Sequence, residues 1–313
     1  MEVEMAIYHD HIPVLLSESL DLLLTDPEGK YVDGTLGGGG HSAEILARLA
    51  PSAELWGVDQ DLEALDKAGE RLKGDARFHT VFGNFGYMST LLPPSLKGKV
   101  SGILLDLGVS THQIREPGRG FSFQNDGPLD MRMDRQSGLN AHEVVNSYSY
   151  ERLRDLIFHF GEERMSRQIA SEIIKRRPLG TTGELAEAVE AVAGGRFLNK
   201  SLARVFQAIR IEVNRELDQL ERALYESLHL LKEGGRLVVI SYHSLEDRMV
   251  KRFFRSGNLK GEVKKDFYGN WVRPLDPVTR QVVRPGTEEV GRNPASRSAR
   301  LRAAERTGME VEI

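Results

Sequence analysis

Through the first third of the chain, short apolar runs alternate with stretches of helical periodicity. Residues 31–33, 54–58, 78–82 and 100–105 read as strands, the second ending at Asp59 and the fourth at Asp106. Between them, residues 42–49 start a helix, and Leu62, Leu65, Ala68 and Leu72 recur at the spacing of one helix face. Strand–helix repetition of this kind predicts an α/β fold with a parallel, doubly wound sheet and right-handed crossovers.

The pattern then changes. Residues 109–140 are rich in Gly, Pro, Asp and Ser, and residues 141–195 are helical in pattern, punctuated by Pro178 and Gly180. This predicts an all-helical insertion over 113–210 that divides a core into 1–112 and 211–313. A long helix over about 201–231, ended by Gly234-Gly235, leads back to a fifth strand at 236–241. Beyond Arg255 the chain is basic and loop-like, and SARLRAAER near its end fits a final strand or a short helix. There are no internal repeats.

Composition narrows the choices. With 313 residues, 40% of them hydrophobic, the chain can bury one large core or two smaller ones. A formal net charge of −4 argues against a polybasic nucleic-acid coat but allows local basic faces. There is no cysteine, which removes disulfides, cysteine-ligated zinc, iron–sulfur clusters and thiolate catalysis, and no metal site is expected. The start, MEVEMAIYHDHIPVLL, carries acidic residues where a secretion signal needs basic ones, and Pro13 breaks its apolar run. No stretch reaches the roughly 18 apolar residues of a membrane span. A cytoplasmic protein without membrane contact is the expectation.

Candidate chemistry begins at residues 33–42, DGTLGGGGHS, where glycines let a ligand approach the backbone at a helix N-terminus. Counting from Gly37 and Gly39, the third position of a dinucleotide fingerprint is Ser42, and no Gly-Lys-Ser/Thr follows. S-adenosylmethionine, which has no pyrophosphate, fits better than a dinucleotide. Asp59 stands roughly where a ribose-binding carboxylate is wanted, or else it caps the next helix. Phe85 either packs on an adenine ring or joins the core. Asp106-Leu107-Gly108-Val109-Ser110 follows the fourth strand, where amine methylases place a polar motif. Asp106 there accepts a hydrogen bond from the amine, or it orients the cofactor's methionine part. Without a thiolate, methylation of pyrimidine carbon 5 is closed, whereas nitrogen or ribose oxygen needs only positioning and proton acceptance.

These residues, taken in order, resemble the bacterial MraW/RsmH family, the 16S rRNA (cytosine-N4)-methyltransferases. The matching runs are His11-Ile12-Pro13-Val14-Leu15, the glycine loop, Asp106–Ser110, GFSF at 120–123, DGPLDMRMD at 126–134, GEE at 161–163, FQAIR at 206–210, SYHSLEDR at 241–248, and Asn293-Pro294 with Arg297-Ser298. Tyr242 stands where the family usually has phenylalanine. The resemblance implies a Rossmann-like class I methyltransferase sheet carrying a helical substrate-recognition domain. It implies that S-adenosylmethionine contacts Gly39, Gly40, His41, Asp59, Phe85, Asp106 and Gln113, with Asp106 catalytic. It implies a cytidine in the decoding region of the small subunit's 16S rRNA as substrate.

Residues 196–210 carry four basic side chains and no acid, residues 248–265 carry seven against Glu262, and more arginines cluster near 292–302. These are candidate phosphate contacts or solvated faces. Asp130, Arg132, Arg204, Arg210 and His243 are candidate substrate contacts. Phe121, Phe123, Tyr242 and Trp271 are candidate base stackers or core residues. Two other readings stay open: a methyltransferase for protein or a small molecule, and a non-catalytic RNA-binding ribosome assembly factor. The glycine loop with Asp59 argues against the second, and a homodimer is left open.

Overall fold

A parallel strand covered on both faces needs a nearly unbroken apolar run. VSGILLD at Val100–Asp106 supplies one, buried at every position before Asp106. The computed structural model that contains it describes residues 13–309 apart from residue 137. Residues 1–12, which hold His11 and Ile12 of the N-terminal motif and most of the segment read for a secretion signal, lie outside the described residues. The chain divides into two compact units, one of residues up to Gly108 together with those from Asp218, the other Val109–Leu217.

The first unit is built on a seven-stranded sheet. Its strands are β1 (Lys30–Asp33), β2 (Glu54–Asp59), β3 (Phe78–Phe82), β4 (Val100–Asp106), β5 (Leu231–Ser241) and, after a separate ribbon of β6 (Lys264–Lys265) and β7 (Trp271–Val272), β8 (Leu275–Pro277) and β9 (Arg300–Arg306). The order is β3-β2-β1-β4-β5-β9-β8. The first five pair in parallel, and β9 runs antiparallel to both its neighbours. Chain direction across the sheet reverses between β1 and β4. That is the switch point where open α/β sheets bind ligands at the strands' carboxyl ends.

Helices cover both faces: α1 (Leu16–Leu23), α2 (Gly40–Arg48), α3 (Leu62–Arg71), the short α4 (Met88–Leu91), and later helices beyond the second unit. Side chains alternate between faces along each strand. On β5, Leu237 and Val239 join one core cluster with Val250 and Phe253. Val238 and Ile240 join the other, with Leu20, Leu23 and Ile45.

The second unit is helical: α5 (Thr111–Arg115), α6 (Ala141–Ser147), α7 (Tyr150–Gly161), α8 (Ser166–Arg176), α9 (Thr182–Glu190) and α10 (Leu198–Asn214). Asn140, Ser149 and Thr181 cap α6, α7 and α9, each accepting the N–H three residues on. Their amphipathic faces bury Leu153, Ile157, Ile169, Ile173, Leu185 and Ile209 in one cluster. The remaining helices are α11 (Glu216–Leu230), α12 (Ser244–Ser256) and α13 (Thr287–Arg292).

Three expectations need correction. The single helix expected over 201–231 is two, because Arg215 takes φ +51° and ends α10 with a left-handed cap. The Asn214 amide bonds the Met131 and Arg210 carbonyls there, and no Gly or Pro marks the break. Gly234-Gly235 does not terminate a helix. It lies within β5, where the register to β4 shifts between Val100↔Leu231 and Gly102↔Arg236. The basic, loop-like tail expected after Arg255 contains β6 to β8 and α13, while of the two alternatives for SARLRAAER the final strand is the one found, as β9 over Arg300–Arg306. Helices α1 and α12 lie in segments whose patterns had named no element. Among the described residues no helix is long and apolar enough to cross a membrane.

Candidate active site

The glycine loop is anchored from both sides. Asp33 ends β1 almost fully buried, accepting the Thr35 N–H at 3.3 Å and the Ser42 hydroxyl at 2.7 Å. The Gly34 N–H donates to the Leu104 carbonyl of β4 and the Leu36 N–H to the Val58 carbonyl of β2. The loop therefore lies across the carboxyl ends of β1, β2 and β4. Gly39 leads into α2 at φ +72°, and a Cβ built on it would sit 3.1 Å from the Ala68 Cβ of α3. Both the backbone and the neighbouring helix require glycine there.

Asp59 closes the loop from β2. One carboxylate oxygen accepts the Gly37 N–H at 2.8 Å, the other the Asp61 N–H at 2.9 Å. Burial pushes this carboxyl up to about 6, against the pull of those two donors. Phe85 follows β3 in a one-turn helix begun by Asn84, whose side chain bonds Gln60. It is half-buried on the core, and a Cβ built on Gly34 would meet the Phe85 Cβ at 3.4 Å.

Asp106 is the centre of the arrangement. Its N–H donates to Thr35 Oγ1 at 2.6 Å, Oδ1 accepts the Tyr242 hydroxyl at 2.8 Å, and Oδ2 lies 3.8 Å from His41 Nδ1. His41 Nε2 is 3.1 Å from the Val14 carbonyl, which can only accept, so the proton is assigned to Nε2 and a bare Nδ1 faces Asp106. Burial lowers the His41 pKa and keeps the ring neutral. Burial also drives the Asp106 carboxyl up to about 7, the Tyr242 bond opposing and Glu246 adding to the rise. Burial, with the Asp106 charge beside it, raises the Tyr242 phenol well above its ordinary value, so Tyr242 is a fixed donor.

His243 is buried and caps α12: its Nδ1 accepts the Glu246 N–H at 3.5 Å. Glu246 Oε2 returns bonds to the N–H groups of Tyr242 (2.9 Å) and His243 (3.3 Å), which pins the backbone that presents Tyr242.

Gly39, Gly40, His41, Asp59, Phe85 and Asp106 thus lie on the glycine loop and the ends of β2, β3 and β4 in the sheet unit. Gln113 is in the helical unit, buried, its side chain forming a capping box with Ser110 at the start of α5. Also there, Arg132 is paired with Asp130, Arg204 with Glu163, and Arg210 with Glu216. Phe121 is in that unit's core, and Phe123 packs edge-to-face on Phe206. Arg300 and Arg302 share Asp247. Sequence reasoning assigned no role to Thr35 or Glu246, and it treated Tyr242 as a base stacker or a core residue. Glu246 closes a capping box on His243, and because a histidine stands in place of the usual Ser or Thr the sequence carries no capping-box signature there.

Residues 8–307 match the MraW methylase family. The ribosomal RNA small subunit methyltransferase H of Bacteroides fragilis is 47% identical over 299 residues, 95% of this chain and 97% of that one. The protein of the same name from Parabacteroides distasonis is 47% identical over 300 residues, with the same coverage. Among solved structures, an rRNA methylase from Streptococcus thermophilus aligns over 93% of each chain at 13% identity, with a TM-score of 0.40. At that level of likeness the fold rests on this chain's own strand order.

Proposed function

The chain belongs to the MraW methylase family, and from that membership we propose that it methylates the exocyclic N4 amine of a cytidine in the 16S rRNA of the small ribosomal subunit. The observation that carries the reading is Asp106, a carboxyl at the sheet's switch point, raised to about 7 and held by one hydroxyl. In this reading the reaction takes place in the cytoplasm, with the ribosome.

The donor set suits S-adenosylmethionine. Glycines leave the loop backbone bare, Asp59 offers a carboxylate for ribose hydroxyls, and the acids at the strand ends favour a cation. In this reading Gly39, Gly40, His41, Asp59, Phe85 and Asp106 hold it, and the family resemblance adds Gln113. When bound, S-adenosylmethionine supplies a methyl group activated by its sulfonium charge.

The remaining work falls to the protein. A cytosine amine is flat, its lone pair delocalised into the ring. A carboxylate accepting one of its N–H groups turns the nitrogen toward a tetrahedral nucleophile and then takes the surplus proton. A base poised near the working pH does this better than an ordinary carboxylate. Tyr242 holds Oδ1, which leaves Oδ2 as the acceptor, and the unprotonated His41 Nδ1 does not compete for it. Reaching the amine requires turning the base out of its stack, at about a few kcal/mol. In this reading Asp130, Arg132, Arg204, Arg210 and His243 are the candidate substrate contacts, the three arginines as side chains already paired with acids.

Labelled methyl transfer to 30S particles, followed by digestion and mass spectrometry of the nucleosides, tests the proposal. N4-methylcytidine is expected. A ribose O-methyl or 5-methylcytidine would overturn the chemistry, and label in protein alone would overturn the substrate.

A further inference from the structure

Residues 251–273 carry seven basic side chains against Glu262 and Asp266, in a chain whose net charge is −4. Positive charge is therefore concentrated here on an otherwise acidic protein. Within this stretch β6 and β7 form an antiparallel ribbon, Lys264 opposite Val272 and Lys265 opposite Trp271.

The ribbon's tip is firmly tied. The Asp266 carboxylate accepts the Tyr268 N–H at 2.9 Å, the Asn270 N–H at 2.8 Å and the Asn270 amide at 2.9 Å. The Asp266 N–H donates to the Asn270 carbonyl, and Gly269 turns the chain at φ +86°. These bonds hold the Asp266 carboxyl below its usual range and engage its charge inside the turn. What the turn displays is Phe267, 97% exposed, and Tyr268, 86% exposed, their rings edge-to-face at 5.6 Å. On the flank, the Trp271 ring has the Arg273 guanidinium 5.0 Å from its centroid.

A hairpin turn needs no aromatic residues at its tip; Asp, Asn and Gly already make this one. Two adjacent rings standing almost wholly in water are unfavourable unless something covers them. The surrounding cations select the cover. Flat π-faces beside lysines and arginines are the pairing that single-stranded nucleic acid recognises, bases on the rings and phosphates on the charges.

We propose that the β6–β7 hairpin is a separate RNA-docking element, in which Phe267 and Tyr268 stack on unpaired bases while Lys264 and Lys265 contact phosphates. This rests on the rRNA reading above and adds to it a contact made by residues other than those of the glycine loop and strand ends.

The test uses the full-length protein with a 16S rRNA fragment and with 30S particles. Phe267→Ser/Tyr268→Ser removes the rings, and Lys264→Ala/Lys265→Ala removes two charges. Each stacked ring is worth roughly 5- to 150-fold in affinity, so the ring variant should bind RNA at least about tenfold more weakly, with KM for RNA raised to match. Its salt dependence should be unchanged. The lysine variant should lower the slope of log affinity against log salt by up to about two. Affinity for S-adenosylmethionine, by calorimetry, should stay at the wild-type value in both. Phe267→Tyr/Tyr268→Phe should retain binding, which separates stacking from turn geometry.

Several outcomes overturn the proposal. One is wild-type KM in both variants while wild-type protein methylates RNA. Another is a ring variant that loses 30S particles but keeps naked RNA, which would assign the tip to a ribosomal protein. A third is a ring variant changed only in self-association. Wild-type protein that binds no RNA at all would instead remove the underlying rRNA reading, and this one with it.

Discussion

Replacing Asp106 with Asn separates what its carboxyl does for chemistry from what it costs the fold. Asn keeps the size and an acceptor oxygen for the Tyr242 hydroxyl, and it removes the ionisation. Burial moves Asp106 from its ordinary 3.8 to about 7. Below about pH 4 folded and unfolded chains both keep the proton, so the two proteins differ little. Between there and pH 7 the unfolded chain releases the proton while the folded one retains it. Wild-type stability then falls as pH rises, by at most about 1.4 kcal/mol per pH unit. Above pH 7 the loss is complete, about 4 kcal/mol as an upper figure. The side chain is 22% exposed, and water relaxing around the charge brings the expected gain of the variant to about 1–3 kcal/mol at pH 8. At ~2–4 °C per kcal/mol for a chain of this class, that is a Tm higher by several degrees. Thermal unfolding of both proteins at pH 5, 6, 7 and 8, at one ionic strength, should show the gap opening with pH. The same variant should transfer methyl at least ~100-fold more slowly at S-adenosylmethionine concentrations that calorimetry shows to saturate it. A Tm gap that does not change with pH, or an Asn variant less stable at pH 8, would refute the reasoning.

In wild-type protein kcat should rise with pH through about 7, as Asp106 becomes the base, and level off above it; a profile flat from pH 5 to 9 contradicts this. Tyr242→Phe should move that inflection upward, because the hydroxyl it removes favours the carboxylate; an unmoved or lowered inflection would mean the bond does not tune the base. Asp59→Ala should weaken S-adenosylmethionine binding by about 10- to 100-fold in calorimetry, and tight NAD binding by wild-type protein would sink the cofactor assignment. Gly39→Ala places a Cβ at φ +72° and 3.1 Å from Ala68, and should lower unfolding stability by about 1–2 kcal/mol; a Tm equal to wild type would remove the steric argument.

What the sequence made legible is local. Strands β1 to β4 each show as a run of apolar residues within a few positions, and Asp59 and Asp106 show because an acid ends such a run. The glycine loop shows because its demand on backbone conformation is met by residue type alone. Tyr242 and Asp106 are 136 positions apart, and nothing in either neighbourhood announces the bond. The same holds for Arg132, Arg204 and Arg210. Their sequence signal is a positive charge, while their pairing with Asp130, Glu163 and Glu216 is a product of folding. The break at Arg215 was hidden for a related reason: an arginine held in the left-handed region leaves no compositional mark.

Three buried or nearly buried acids meet at the strand ends, Asp33, Asp59 and Asp106, and their surroundings divide the labour among them. Asp33 receives a backbone N–H and the Ser42 hydroxyl. Asp59 receives two backbone N–H groups, one on each oxygen. Donors of this kind stabilise the ionised form and tie the carboxyl to the loop, which suits acids that shape the crevice. Asp106 has one side-chain donor among the described residues, Tyr242, and its second oxygen faces a ring nitrogen without a proton. Burial raises all three carboxyls, but Asp106 has the fewest hydrogen-bond donors opposing that rise. Groups of one chemical type pushed apart by their environments mark distinct roles. The acid left short of donors is the one free to take a proton.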